Sequence, residues 1–258
     1  MVDIPTASLA GDVRMPMVGL GTAGLVGDAG YSAMRHALDI GYRHLDTATA
    51  YDNEAEVGRA LRDSGVAREA VFITTKLPPE RAGDASAVLT KSLRALGVHQ
   101  VDLWLIHWPP DGQACAPAWR ALIAARESGA ARAIGVSNYG IGQLDELAAA
   151  TGVVPAVNQI PWSPARHDPA MLAAHRSRGI EVEGYSPLNG TDLDDPALTR
   201  IADAHGATTA QVVLSWHLTH GITVIPKSGS AERQRANFRA GELSLTDDEV
   251  RAVDRLAQ

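Results

Sequence analysis

The chain has a single cysteine, Cys115, which excludes an intramolecular disulfide framework and makes a reducing compartment the expectation. A lone thiol with no base beside it in the sequence is read as a bystander rather than a nucleophile. Basic residues are not in excess: a net charge of -7 and a pI near 5.7 leave no electrostatic footprint for nucleic acid or anionic lipid. No window approaches the ~20 apolar residues of a membrane helix. The opening MVDIPTASLAGDVRMP lacks a basic segment and a long apolar one, so no signal peptide is expected. Low-complexity linkers and shifts in composition are missing too. Together these absences predict a soluble, cytoplasmic protein organised as one domain over residues 1–258, and a hydrophobic content of 45% is enough for a sizeable core. No long apolar surface stripe demands a partner, so a monomer is expected.

What is present is a repeated pattern. Short apolar, β-rich runs (PMVGLG, RHLDT, VFITTK, DLWLIH, ARAIGVS, PAVNQI, IEVEGYS and GITVIP) alternate with helical stretches. The helices are expected at Tyr31–Ile40, Glu54–Asp63, Asp84–Leu96, Ala116–Glu127, Gly142–Ala150, Ala170–Ser177, Pro196–His205 and Thr208–Leu218. Apolar runs without polar alternation suit strands buried on both faces. Eight of them alternating with helices predict a (β/α)8 TIM barrel, with a doubly wound sheet as the rival. Turn chemistry at Ala10–Gly11–Asp12 predicts a short N-terminal hairpin capping the barrel bottom.

GLGTAG, Gly19 to Gly24, matches the glycine fingerprint of a dinucleotide-binding βα unit, in which the last glycine opens a helix. Here two further glycines follow, and they predict no helix before about Tyr31. A loop at the barrel mouth is the preferred reading.

In such a barrel every βα loop emerges at one rim, where active sites are built. The second run ends in Asp46, with Tyr51 five positions on; the third ends in Lys76 and the fourth in His107. Each has an ordinary explanation alone: a turn cap, a packing phenol, a solvated strand end, a core imidazole. Four at one rim point to chemistry. A lysine just inside an apolar barrel requires a carboxylate, which Asp46 provides. A cationic Lys76 beside Tyr51 is expected to lower the phenol pKa from its usual ~10 and make it a proton donor. A neutral His107 can donate a hydrogen bond that orients a carbonyl and stabilises developing oxyanion charge. The set has no electron source, so a hydride must come from a cofactor.

The motifs GYRHLDTATAYDNEAEVGRAL, VFITTKL, SLRALGVHQVDLWLIHWP, AIGVSN, VNQI, GYSPL and VIPKSGSAERQRAN, in this order, resemble the aldo-keto reductase family. Within it they are similar to bacterial 2,5-diketogluconate reductase-like members. The resemblance implies a barrel that binds NADPH or NADP in extended form, reduces small-molecule aldehydes and ketones, and uses Asp46, Tyr51, Lys76 and His107 as a catalytic tetrad with Tyr51 as general acid. It implies that Ser137, Asn138 and Gln159 hold the nicotinamide carboxamide and that Tyr185 stacks on the ring. Ser186 and Leu188 would line the pyrophosphate, and Gly21, Thr22 and Asp46 the nicotinamide ribose. Lys227, Ser228 and Arg233 would surround a 2′-phosphate, a group suited to a point cation and a guanidinium fork, with Asn237 on adenine. Trp108 would wall the substrate pocket.

The sequence departs from the family at Pro161–Pro164 (PWSP), in the short segment PPDGQACAPAW, in the short stretch after the last helix, and at GTAG, where many relatives carry an aromatic residue. These departures predict an open or reshaped pocket. His217 and His220, three apart near a helix end, are read as C-terminal helix histidines, and no metal is expected. Two other functions are weighed: a Schiff-base enzyme using Lys76, against which Asp46 argues, and a non-catalytic NADP(H)-sensing barrel, against which the intact tetrad argues.

Overall fold

A computed structural model describes residues 4–257. Ten strands are present among them: β1 (Thr6–Leu9), β2 (Val13–Pro16), β3 (Leu20–Gly21), β4 (His44–Asp46), β5 (Phe72–Leu77), β6 (Val101–Ile106), β7 (Ala131–Ser137), β8 (Val157–Pro161), β9 (Glu181–Tyr185) and β10 (Thr223–Val224). Ten α-helices accompany them: α1 (Gly27–Ile40), α2 (Glu54–Ser64), α3 (Ala85–Leu96), α4 (Ala116–Glu127), α5 (Ile141–Thr151), α6 (Pro169–Arg176), α7 (Pro196–His205), α8 (Thr209–Thr219), α9 (Ala231–Arg239) and α10 (Asp247–Asp254). The predicted bounds of α4 and α7 are met, each with proline in the first helical turn, where its fixed φ suits helix entry.

Strands β3 to β10 form one parallel sheet in sequence order. Parallel bridges from Val18 to Val224 and from Gly21 to Lys227 join its two ends, with the Gly19 amide donating to the Val224 carbonyl at 2.8 Å. The sheet is therefore the predicted TIM barrel, and the doubly wound alternative is excluded. β1 and β2 form the antiparallel hairpin expected from the Ala10–Asp12 turn.

Side chains alternate in and out of the barrel because a strand repeats every two residues. On β6, Trp104 and Ile106 join the helix-facing core, while Leu103 and Leu105 face inward. His107 continues the inward register one step past the strand. The hairpin residues Leu9, Val13 and Met15 pack against Phe72, Leu103, Leu105, Ala133 and Val157. They close the end of the barrel opposite His107 with an apolar plug.

One expectation needs correction. α1 begins at Gly27, not near Tyr31. Gly27 enters the helix at φ +62°, and a Cβ on Gly30 would lie 2.5 Å from the Leu25 carbonyl oxygen. The two glycines permit a tight helix entry rather than prolonging a loop. The fingerprint reading of Gly19–Gly24 fails because the sheet closes, not because a helix is missing.

Asp102, the acid near the front of the VDLWLIHWPP run, is a structural strut. It accepts from Arg68 at 2.7 Å, from Arg132 at 2.9 Å and from the Ile73 amide at 2.9 Å. It lies five residues before His107, at the far end of the same strand. Asp102→Ala is expected to lower unfolding stability by about 2–3 kcal/mol, since it strands a buried amide and two partly exposed guanidinium groups. Urea melts would measure this, with KM values remaining near the parent's.

Candidate active site

The inward register of three neighbouring strands brings Asp46 (β4), Lys76 (β5) and His107 (after β6) to one rim. Tyr51 arrives from a single turn of 3-10 helix, Thr49–Tyr51, that follows β4. Lys76 is fully buried and uses all three ammonium protons, at 2.7 Å to Asp46 Oδ1, 2.9 Å to the Thr47 carbonyl and 3.4 Å to the Tyr51 hydroxyl. The Tyr51 and His107 rings meet edge to face, 5.6 Å between centroids. Lys76 ends one residue short of the strand terminus, which is Leu77, so its side chain stays inside the barrel wall.

The electrostatics agree with three of the sequence expectations and overturn one. Burial opposes the charge on Lys76, yet Asp46 and Tyr51 more than offset it and hold its pKa above the ordinary lysine value. This charged lysine disfavours a Schiff-base role, which requires a free amine. Burial, aided by Lys76, lowers His107 to about 4, so the imidazole is neutral at physiological pH. Tyr51 is the correction: burial raises its pKa more than Lys76 lowers it, and the net shift is upward. The phenol is thereby held protonated, the state a proton donor requires.

A cleft of about 210 Å³ opens over these groups, lined by Gly21, Asp46, Tyr51, His107, Trp108, Ser137, Asn138, Gln159, Tyr185, Ser186 and Lys227, with Ala23 and Ile225. Most residues expected from the sequence at the nicotinamide end are therefore gathered here. Thr22 is the exception. Fully buried, it turns away and donates to the Asp46 carbonyl at 2.9 Å, bracing the rim from behind. Asn138 donates to the His107 carbonyl at 3.1 Å and to Ser137 Oγ at 3.0 Å, and accepts from the Tyr185 hydroxyl at 2.8 Å. That network pins the Tyr185 ring at the cleft wall. Asn138 and Ser186 both take positive φ, +65° and +52°, an uncommon conformation that re-aims the chain as it leaves β7 and β9.

A second cavity, of about 780 Å³, shares Ser186 and Lys227 with the first. Leu188, Ser228, Arg233 and Asn237, which the resemblance assigned to the far end of the cofactor, line it together. Glu232, Thr208, Asn189 and Leu193 also line it and were missed, since residues on separate segments of the chain carry no sequence signal of a shared groove. Ser230 caps α9 by accepting from the Arg233 amide at 3.4 Å. The exposed Lys227 and Arg233 side chains thus flank a helix N-terminus, a position suited to a phosphate.

Sequence reasoning also missed Glu183. It lies fully buried on β9, in inward register with Tyr185. An acid inside the run IEVEGYS was the available signal. Trp162, in the divergent PWSP segment, is buried and lies outside both cavities, whereas Trp108 is 49% exposed at the cleft edge. His217 does not converge with His220: its two ring nitrogens face the Val213 and Trp162 carbonyl oxygens at 2.7 and 3.1 Å.

A closed parallel barrel with a lysine–carboxylate pair, a phenol and a neutral imidazole at its mouth defines an oxidoreductase site of a known kind. The family model described as "Aldo/keto reductase family" matches residues 17–258, and the chain belongs to that family. It is 44% identical to 2,5-diketo-D-gluconic acid reductase B of Corynebacterium sp. (strain SHS752001), over 99% of this chain and 94% of the relative. An aldo/keto reductase from Brucella melitensis superposes with a TM-score of 0.94 at 37% identity, covering 98% of this chain and 100% of that one. A Bombyx mori aldo-keto reductase solved in complex with NADP gives a TM-score of 0.92 at 32% identity, covering 100% and 94%.

Because His107 stays neutral down to about pH 4, carbonyl reduction is expected to show no histidine limb at pH ~6–7, where an ordinary imidazole titrates. Protonation removes the neutral form only near the lowered value. A kcat/KM profile with a limb at pH ~6.5 that disappears in His107→Gln would contradict this assignment.

Proposed function

We propose that Tyr51 is the general acid in an NADPH-dependent reduction of small aldehydes and ketones to alcohols, with Lys76, Asp46 and His107 as its partners. The protein is an NADP(H)-dependent oxidoreductase acting on carbonyl and alcohol groups. The observation that carries the residue roles is convergence: the phenol lies beside the ammonium and the imidazole at the floor of one cleft. The cofactor assignment is supported by the fit of the two joined cavities, with a polar, aromatic-walled end over Tyr51 and a basic end at Lys227 and Arg233. NADPH held there would supply the hydride that the chain's own residues lack.

The chain's own residues do the rest. His107 donates a hydrogen bond to the substrate oxygen and orients it toward Tyr51. Tyr51 gives its hydroxyl proton to that oxygen as negative charge develops. Lys76 then stabilises the phenolate left behind, and Asp46 keeps Lys76 charged and fixed. Ser137, Asn138 and Gln159 would hold the carboxamide, Tyr185 would support the ring, and Gly21 would flank the ribose. Ser186 and Leu188 would line the pyrophosphate, and Lys227, Ser228 and Arg233 would hold the 2′-phosphate, with Asn237 at the adenine. Trp108 would wall the substrate pocket, and Ala23 also lines the cleft.

The same reading takes residues 1–258 as one barrel domain, monomeric and cytoplasmic, with small molecules rather than nucleic acid or membrane as partners. The acidic net charge argues against nucleic acid and anionic lipid as partners, and no helix of the described residues is long and apolar enough to cross a membrane.

Tyr51→Phe is expected to reduce turnover by about 10²–10⁴-fold, the usual worth of a positioned proton donor, while NADPH affinity by fluorescence titration stays near parental. Parental turnover in that variant would remove Tyr51 from the mechanism. Arg233→Ala is expected to raise the KM for NADPH by about tenfold or more through loss of a charge-assisted contact. The KM for NADH, which lacks the 2′-phosphate, should change little. An equal effect on both cofactors would place Arg233 elsewhere.

A further inference from the structure

From Gln159 on the cleft floor a chain of buried polar groups continues to Glu183 and His44, which have no role in the reduction proposed above. Gln159 Nε2 donates to Asp46 Oδ2 at 2.8 Å and to Glu183 Oε2 at 2.7 Å. Both amide protons of Gln159 are thereby spent on two acids from opposite sides, β4 and β9. Its Oε1 has no protein partner among the described residues, and Gln159 lines the cleft. The amide orientation is consequently fixed: nitrogen down toward the acids, carbonyl oxygen free to accept from above.

Glu183 is in an unusual setting for an acid. Its other oxygen, Oε1, lies 3.5 Å from His44 Nε2 and makes no hydrogen bond. His44 Nδ1 faces the Pro16 carbonyl at 3.0 Å, so Nδ1 carries the ring proton and Nε2 a lone pair. Burial lowers the His44 pKa and keeps that ring neutral. That lone pair already faces the Thr74 hydroxyl at 3.2 Å, so an ionised Glu183 Oε1 would be a buried negative oxygen beside an acceptor, with no donor of its own. The remaining charged groups toward Glu183 are Asp46, which opposes ionisation, and Lys76, which favours it without prevailing. Burial is the largest influence and pushes Glu183 up to about 8.

We propose that Glu183 is a positioning residue held as a neutral acid, which fixes the Gln159 amide so that its carbonyl oxygen receives the amide protons of the nicotinamide carboxamide. The proposal rests on the reading above that Gln159 holds that carboxamide. Glu183 would touch neither cofactor nor substrate. It acts through Gln159, and it leaves Asp46 Oδ1 to Lys76.

The test uses three variants of the full-length enzyme and NADPH titration by fluorescence. Glu183→Gln reproduces the shape and neutrality of the acid and keeps an acceptor for Gln159, and is expected to keep NADPH affinity within about twofold. Glu183→Leu removes the acceptor, lets the amide turn over, and is expected to weaken NADPH by about tenfold, roughly the worth of one net hydrogen bond. kcat at saturating NADPH should change less than affinity. Gln159→Leu should weaken NADPH at least as much. Parental affinity in Glu183→Leu, or equal weakening in Glu183→Gln and Glu183→Leu, overturns the proposal. Parental affinity in Gln159→Leu instead strikes the carboxamide assignment itself.

A thermal-melt series checks the protonation state without reference to activity. A carboxyl group raised from its usual value to about 8 stabilises the fold fully at low pH and loses that contribution as pH rises through the folded value. Between pH 5 and 8 the melting temperature of Glu183→Gln should therefore rise relative to the parent. A constant difference across that range would show Glu183 ionised and overturn the proposal.

Discussion

The buried pair of Lys76 and Asp46 is the constraint around which the barrel mouth is arranged. Neither group is tolerable alone in that interior, since an unpaired charge there would cost several kcal/mol. Pairing alone is not sufficient, because an ammonium has three protons and a carboxylate several lone pairs to satisfy. The structure meets that demand with the Thr47 carbonyl and Tyr51 hydroxyl on one side and Gln159 on the other. The phenol proposed as the proton donor is thus also a ligand of the charge that would stabilise its conjugate base. The proposed catalytic geometry and polar satisfaction are the same set of contacts.

The barrel interior separates polarity along its axis. The hairpin end is apolar, with Leu9, Val13 and Met15 against Leu103 and Leu105. The opposite end carries Asp46, Lys76, Gln159 and Glu183. The plug keeps water from the underside of these groups, which strengthens every electrostatic contact above it. It also explains why burial dominates the shifts of His44, His107, Tyr51 and Glu183. The same burial lowers the imidazole of His107 and raises the carboxyl group of Glu183, whereas the ammonium of Lys76 keeps its charge because Asp46 is in contact with it.

Much of this was legible in the sequence for local reasons. Strand runs, helix periods and the Ala10–Asp12 turn are short-range signals, and they fixed the barrel and its hairpin. The four rim residues followed from where apolar runs stop. The shortfalls have physical causes as well. Gly27 and Gly30 read as loop residues, yet one allows the backbone entry to α1 and the other a close approach to Leu25. Thr22 carries a motif position but spends its hydroxyl on the Asp46 carbonyl. The upward shift of Tyr51 depends on how far the ring is buried, which the neighbouring Lys76 alone does not reveal.

The sequence by itself determined the elements, their order and the register parity that turns Asp46, Lys76 and His107 inward, since each depends on neighbours a few positions away. Only the tertiary structure decided that Gln159 donates to Asp46, 113 positions away, and that Glu183 shares that donor in the buried interior rather than lying in solvent. Closure of the sheet brings those strands face to face, and no local pattern encodes which side chains meet across a closed interior.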